Sequence, residues 1–330
     1  MKENKENDRR LIMIKQLLKK TFIYEIYKRK KLNKIESRKK GNYDIENREN
    51  GSETLVIVLA GFKEFCSKIV FDRLNKFCPK EYDVCIVSVG KKCEYLSNIA
   101  KQNNWSYLST KSKNISKALN ISINAFKNAK YIFKIDEDIF VTKNFFSSIV
   151  KTFNIETSKK GLYKPGFITP LININGFSSY YVLKKLNLYD KYSSMFENIK
   201  IVAGPNELIE KSEKVAKFMW GENDIVPSID EIDNIFNKNN YEAIPCPIRF
   251  SIGAIFFTRQ TWIEMNYFDV CKGVGLGLDE WQVCDFAISN SRPIIVSQNT
   301  LVGHLGFGQQ NKYMKDYYIN NIEKFSINEY

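Results

Sequence analysis

The run "TLVIVLAGF" beginning at Thr54 passes directly into "KEFCSKIVFDRLNKF", and this change of hydrophobic period constrains the chain more than any other feature. The first stretch is continuously apolar and of strand length. The second carries its apolar residues at helical spacing and stops at Cys78-Pro79. The exchange then repeats. "YDVCIVSVG" reads as a second strand ended by Gly90, and a mixed helical region leads to "WSYLST" as a third. "NISKALNISINAFKNA" is a helix that runs into "KYIFKID", a fourth strand. Strands alternating with helices at this spacing predict an α/β fold, a mostly parallel sheet with helices on both faces. The chain's 330 residues, 44% hydrophobic and 14% aromatic, supply a core for it.

Ahead of this pattern the chain is different. Residues 11–27 place apolar side chains at 11, 12, 14, 17, 18, 22, 23, 26 and 27, a helical stripe with Lys on the other face. Residues 28–53 are polar and charged without periodicity and read as a linker. Roughly half or more of the net charge of +13 falls in the first fifty residues, so the basic character belongs to an N-terminal arm, residues 1–53, and the main domain spans 54–330. Stripe and basic runs together suggest an anionic membrane surface as a partner of residues 11–40; docking of the helix on its own domain or on another protomer is the alternative. The seven cysteines contain no C-x-x-C pair, and several sit inside apolar runs, which fits reduced thiols and a cytoplasmic chain, peripheral on a membrane's inner face if the arm binds there. No signal peptide or membrane span is expected.

Within the domain, 54–150 reads as a nucleotide-binding half and 151–330 as an acceptor-side half. The segment 155–245 is aromatic and polar, and its elements are harder to place. "RFSIGAIFFTRQTWIEM" then reads as a strand and the start of a helix, "GVGLG" as a flexible loop lacking G-x-G-x-x-G, and "RPIIVSQNTLVGH" as the last strand.

Ligands of open α/β sheets bind beyond the carboxyl ends of the strands. There, directly after "YIFKI", stand Asp136, Glu137 and Asp138. Adjacent carboxylates raise one another's cost of ionisation, and a cation removes the difficulty. With no Gly, Pro or Ser to make an ordinary turn, the D-x-D form suits a hard divalent ion, Mg²⁺ or Mn²⁺, that also grips a diphosphate.

These signals together resemble a nucleotide-sugar-dependent glycosyltransferase of the GT-A fold, of the family 2-like superfamily, over residues 54–310. The helix before the D-x-D strand is similar to that family's A-R-N-x-G helix, although here the core reads Ala118-Leu119-Asn120-Ile121-Ser122, without the Arg and Gly. The resemblance implies a nucleotide-sugar donor contacted by Ala60, Gly61, Ser88, Asn120, Asp136 and Gly253, with Lys113 or Lys117 replacing the missing Arg. It implies a metal site of Asp136, Asp138 and His304, the only histidine, with Asp138 the direct carboxylate ligand and Asp136 reaching the ribose or a metal-bound water. Asp279 and Glu280 in "GLGLDEWQ" stand in the family's acceptor-side position, at the expected start of a helix whose dipole favours ionised carboxylates, and either would serve as base in an inverting transfer to a glycan or lipid-linked hydroxyl. Two other classes fit less well. A nucleotidyltransferase also uses metal-bound acids, but its opening Gly-Ser element is absent. A non-enzymatic basic protein binding membrane or nucleic acid would not need the acidic site, and no nucleic-acid motif is present.

Overall fold

The apolar run at Thr54 becomes a strand with no face in water: Leu55, Val56, Ile57, Val58 and Ala60 are all fully buried, as in a pleat covered on both sides. The computed structural model describes residues 22–161, 163–202 and 205–327. Its first half runs α1 (Phe22–Ser37), β1 (Tyr43–Glu46), β2 (Thr54–Ala60), α2 (Glu64–Phe77), β3 (Asp83–Val89), α3 (Glu94–Gln102), β4 (Ser106–Thr110), α4 (Ile115–Ala125), β5 (Tyr131–Asp136), β6 (Ile139–Phe140) and α5 (Phe145–Ser158). The second half runs β7 (Phe167–Ile172), α6 (Ser178–Lys185), α7 (Tyr189–Met195), α8 (Glu207–Lys211), α9 (Glu213–Met219), α10 (Ile229–Asn237), β8 (Ala243–Cys246), β9 (Ala254–Thr258), α11 (Arg259–Glu264), α12 (Leu278–Ser289), β10 (Ile294–His304) and α13 (Gln310–Asn320).

The strands order as β1-β4-β3-β2-β5-β9-β7-β10-β6, with β8 also on β10. The block β4-β3-β2-β5 is parallel throughout, as is β7-β10, while β9 runs antiparallel between β5 and β7. From β2 the chain steps outward to β3 and β4, then returns across β2 to β5. Right-handed crossovers therefore put α2 and α3 on one face and α4 on the other. The order reverses between β2 and β5, so the segments leaving those two strands, Gly61 to Lys63 and Asp136 to Asp138, face each other at the carboxyl edge.

Two short pairings bring the rest of the chain to that edge. Strand β9 lies against β5, and the Asp136 amide donates to the Gly253 carbonyl at 2.8 Å. The two-residue β6 pairs with the end of β10, Ile139 opposite His304, and the Leu305 amide donates to the Asp138 carbonyl at 3.1 Å. Arg73 of α2, fully buried and ion-paired with Asp230, donates to the Val141 carbonyl at 2.8 Å and fastens the chain just beyond the acids.

Residues 28–53 differ from the expected linker. Helix α1 continues to Ser37, and β1 joins the sheet antiparallel to β4. The sequence "YDIE" gives no strand signal because an edge strand buries little; its charge is matched locally, with Glu46 held by Ser97 and Arg48. Of the helical stripe read over 11–27, residues 11–21 lie outside the described residues. Among the described residues no helix is long and apolar enough to cross a membrane. All seven cysteines are free thiols.

Candidate active site

The three adjacent acids do not share one partner; each has its own. Asp136 Oδ1 lies 2.8 Å from the ammonium of Lys134, two residues back on β5. Glu137 turns to the β2–α2 connection and accepts the amides of Gly61 at 2.7 Å and Phe62 at 2.9 Å. Asp138 is buried and paired through Oδ2 with Lys63, the residue preceding α2, and with His304 Nε2 at 3.3 Å. Burial alone would push the Asp138 carboxyl up, but His304 and Lys63 hold it below the usual carboxylate range.

His304 reaches Asp138 because β10 ends against β6. Its ring stands edge-on to Phe307, with centroids 4.6 Å apart, and its Nδ1 lies 3.3 Å from the Ile174 carbonyl. A carbonyl oxygen can only accept, so in that contact Nδ1 is the donor, and Nε2 is the ring nitrogen turned toward Asp138 Oδ2. A carboxylate oxygen with an imidazole nitrogen is a donor set a divalent ion accepts, and Lys63 supplies a positive charge to the same Oδ2. The residues therefore fit such an ion at Asp138 and His304. Asp136 does not join them: it is committed to Lys134, and among the described residues no three of His, Cys, Asp and Glu converge on one metal position. Of the three expected ligands only Asp138 and His304 face each other, so an ion at that pair would take its remaining ligands from substrate or water.

Across the cavity, α12 begins at Leu278 after Gly277, which takes a left-handed φ of +76°. Asp279 and Glu280 fall in the first turn, both buried, and both line the same cavity of about 540 Å³ as Asp136, Asp138, Gly253 and His304. Asp279 Oδ2 is 3.8 Å from Lys134, so one lysine bridges the strand acid and the helix acid. Lys134 is itself buried and donates to the Ile252 carbonyl at 3.1 Å; burial would lower its pKa, but Asp136 and Asp279 raise it. Glu280 pairs with Arg249, yet burial outweighs that partner and, with Asp279 beside it, pushes the carboxyl up to about 7. The expectation that the helix dipole keeps both acids ionised fails for Glu280, because desolvation is the larger effect there.

The remaining sequence-predicted residues divide. Gly253 lines the cavity, and a Cβ there would come 2.9 Å from Ile139 and 3.7 Å from Asp136 Oδ2, so close approach requires glycine. Ala60 is buried at the end of β2, and Gly61 is engaged by Glu137. Four others are placed away from the cavity. Ser88 is hydrogen-bonded to Tyr107 at 2.6 Å, Lys117 donates to the Ser37 carbonyl at 2.6 Å, and exposed Lys113 packs its stem against Gly90. Asn120 accepts from the Trp262 indole and the Phe268 amide, both at 2.9 Å, which makes it a strut between α4 and the β9–α12 region. The loop at 273–277, read as flexible, is tied to the domain by Asn114, which donates to the Gly273 carbonyl at 3.0 Å, and by the Ile115 amide, which donates to the Val274 carbonyl. Sequence reasoning missed Lys63, Lys134 and Arg249. A lysine inside the apolar run "YIFKID" is the signal for one of them, since a buried ammonium demands acids nearby.

No protein-family model and no curated protein matches this chain. Among solved structures it is similar to S. aureus TarS 1-349, with 14% identity, a TM-score of 0.43, and coverage of 76% of this chain and 60% of that one. It is similar also to the mannosyltransferase PcManGT from Pyrobaculum calidifontis in complex with GDP-Man and Mn2+, with 10% identity, a TM-score of 0.44, and coverage of 83% and 63%. The chain spans less than two thirds of the length of either.

Proposed function

We propose that this chain is a metal-dependent glycosyltransferase of the GT-A type, moving a sugar from a nucleoside-diphosphate sugar to an acceptor hydroxyl on a glycan or lipid-linked saccharide. The observation that carries the reading is the facing of two sets across one cavity at the sheet's switch point: Asp138 with His304 on one side, Asp279 with Glu280 on the other. A divalent ion held by Asp138 and His304, Mn²⁺ being the better match to an imidazole, would supply Lewis-acid stabilisation of the charge left on the departing diphosphate.

The chain's own groups divide the remaining work. Gly253 gives the donor sugar room beside Asp136, and Lys63 brings a positive charge to the diphosphate end. Glu280, with a carboxyl at about 7, is matched to take the acceptor's proton near neutrality, while Asp279 is held by Lys134. The acceptor oxygen then bonds the anomeric carbon as the bond to the diphosphate oxygen breaks, and the proton rests on Glu280; attack opposite the leaving group inverts the centre.

A thermal-shift screen of nucleotide-sugars with Mn²⁺, followed by transfer of label from the hit, tests this. Stabilisation by one nucleotide-sugar and sugar transfer that stops in chelator are expected. Incorporation of label from a nucleoside triphosphate instead would identify a nucleotidyltransferase, and stabilisation by no nucleotide-sugar would remove the proposal.

A further inference from the structure

The cavity end next to α12 has a composition that selects among acceptors. Trp281 follows the acid pair and lines the cavity, yet its side chain is 56% exposed; Leu276, on the loop before α12, is 86% exposed at the same mouth. Large apolar side chains left in water at the lip of a buried polar site mark a surface that a ligand covers. A flat indole face, with its negative quadrupole, takes the C–H face of a pyranose ring and leaves that ring's hydroxyls pointing outward to hydrogen-bonding groups.

Acids outnumber bases at this end. Asp279 and Glu280 lie beside Trp281 in sequence, and Glu210 stands behind Arg249 at 3.3 Å. The cations here are spent. Lys134 serves Asp136 and Asp279, and Arg249 serves Glu280 and Glu210 while its guanidinium lies 5.9 Å from the Trp281 ring centroid. Four acids thus face two bases, and Arg249 keeps only a buried Nε–H without a partner, one donor suited to a neutral oxygen. Among the described residues no cation at this end is free of an acid, so an acceptor bringing a carboxylate or phosphate would meet this excess of negative charge uncompensated, which costs enough to exclude it.

We infer that the acceptor is an uncharged saccharide whose ring stacks on Trp281 and whose attacking hydroxyl is directed to the Asp279–Glu280 pair, and that acceptors carrying an anionic group are rejected. This rests on the glycosyl-transfer reading above, and Trp281 and Glu210 act as specificity-determining residues.

The test uses the full chain with Mn²⁺ and the nucleotide-sugar that stabilises it, and a panel of methyl glycosides, methyl glucuronide, hexose phosphates and octyl glycosides as acceptors. Neutral methyl glycosides should be used at least tenfold better than the glucuronide or the phosphates. Trp281→Ala should raise the KM of the neutral acceptor about tenfold or more with a smaller change in kcat, Trp281→Phe should restore most of it, and donor affinity should stay within twofold in both. Glu210→Gln, which releases Arg249, should narrow the discrimination against glucuronide several-fold. Equal use of charged and neutral acceptors, or a neutral-acceptor KM unmoved by Trp281→Ala, would overturn the inference while leaving glycosyl transfer standing. So would activity on octyl glycosides alone, which would make the apolar lip a lipid site. Failure of every nucleotide-sugar to bind would instead strike the transferase reading itself, and this inference with it.

Discussion

Lys134 and Asp279 approach to 3.8 Å although one lies in a central strand and the other in the first turn of a helix beyond the cavity. The lysine also holds Asp136 at 2.8 Å, so the strand acid and the helix acid are tied through one buried ammonium. This tie sets the spacing between the two sides of the cavity. It also divides the labour of the α12 acids: Asp279 keeps a positive partner, whereas Glu280 is desolvated beside an arginine that only partly offsets its burial.

Removing that ammonium should therefore damage the fold before it damages chemistry. Lys134→Met keeps the volume but leaves two carboxylates facing each other, and breaking a buried pair from one side costs about 3–5 kcal/mol. A lowered denaturant midpoint is the expected result. Adding Asp279→Asn to Lys134→Met should recover part of the loss. A midpoint equal to that of the parent chain would show that the ammonium is not the tie described.

Glu280 gives a pH signature. A base must be deprotonated, so kcat/KM should rise with pH through about 7 and level off above it. Stability should move the other way. The folded-state value lies above the ordinary 4.5, so the protonated carboxyl contributes stability that is fully present below about pH 4.5 and is lost as pH rises through about 7. Glu280→Gln should lower turnover by about 10²-fold or more and flatten this limb of the rate profile. If Asp279→Asn abolishes the limb and Glu280→Gln leaves it, the base has been assigned to the wrong member of the pair.

The parallel half of the fold was readable because its strands are buried on both faces and its helices are amphipathic; the period changes in step with the elements from Thr54 to Asp136. Strand β1 was not, since "YDIE" owes its conformation to the free edge of β4 rather than to its own pattern. The acids and His304 were visible as residue types, and the bringing together of Asp138 and His304 follows from the two-residue β6, too short to show a period. What sequence could not supply was the partner of each acid. One divalent ion seemed the natural answer to three adjacent carboxylates, but Lys134, two backbone amides and the Lys63–His304 pair answer them separately. Likewise Asn120, read in the sequence as a donor contact, has its side chain bonded to Trp262 and Phe268.

Helix α1 carries the prediction about a membrane. Residues 25–34 are exposed, with Lys28, Arg29, Lys30, Lys31 and Lys34 against Glu25, and with Ile26, Tyr27 and Leu32 also in water, although Tyr27, Lys30, Lys31 and Lys34 share a groove with Met265 and Gln282 of the domain. Each basic residue near an anionic lipid surface is worth about 1 kcal/mol and is screened by salt. Co-sedimentation with phosphatidylserine vesicles at low salt, reversed at high salt and lost on deleting residues 1–34, is the expected outcome. Absence of sedimentation at low salt would leave α1 without this role.

The acid triplet gives the sharpest contrast, because its members do different things. Asp138→Asn and His304→Ala each remove one of the two groups proposed to hold a shared cation, so Mn²⁺ affinity, read directly by electron paramagnetic resonance, should fall about tenfold or more. Glu137 faces the other way, onto the amides of Gly61 and Phe62. In Glu137→Gln one carboxylate oxygen becomes an NH₂ group that cannot accept, leaving a donor of the β2–α2 turn unmatched in a buried place. That costs about 1–3 kcal/mol of stability, and Mn²⁺ affinity should change by less than in the other two variants. Lys63 rides on that turn next to Asp138, so donor affinity should weaken with the turn's displacement even where the Mn²⁺ titration does not. A Glu137→Gln protein as stable as the parent, but with Mn²⁺ binding abolished, would reverse these assignments and put the middle acid at the metal.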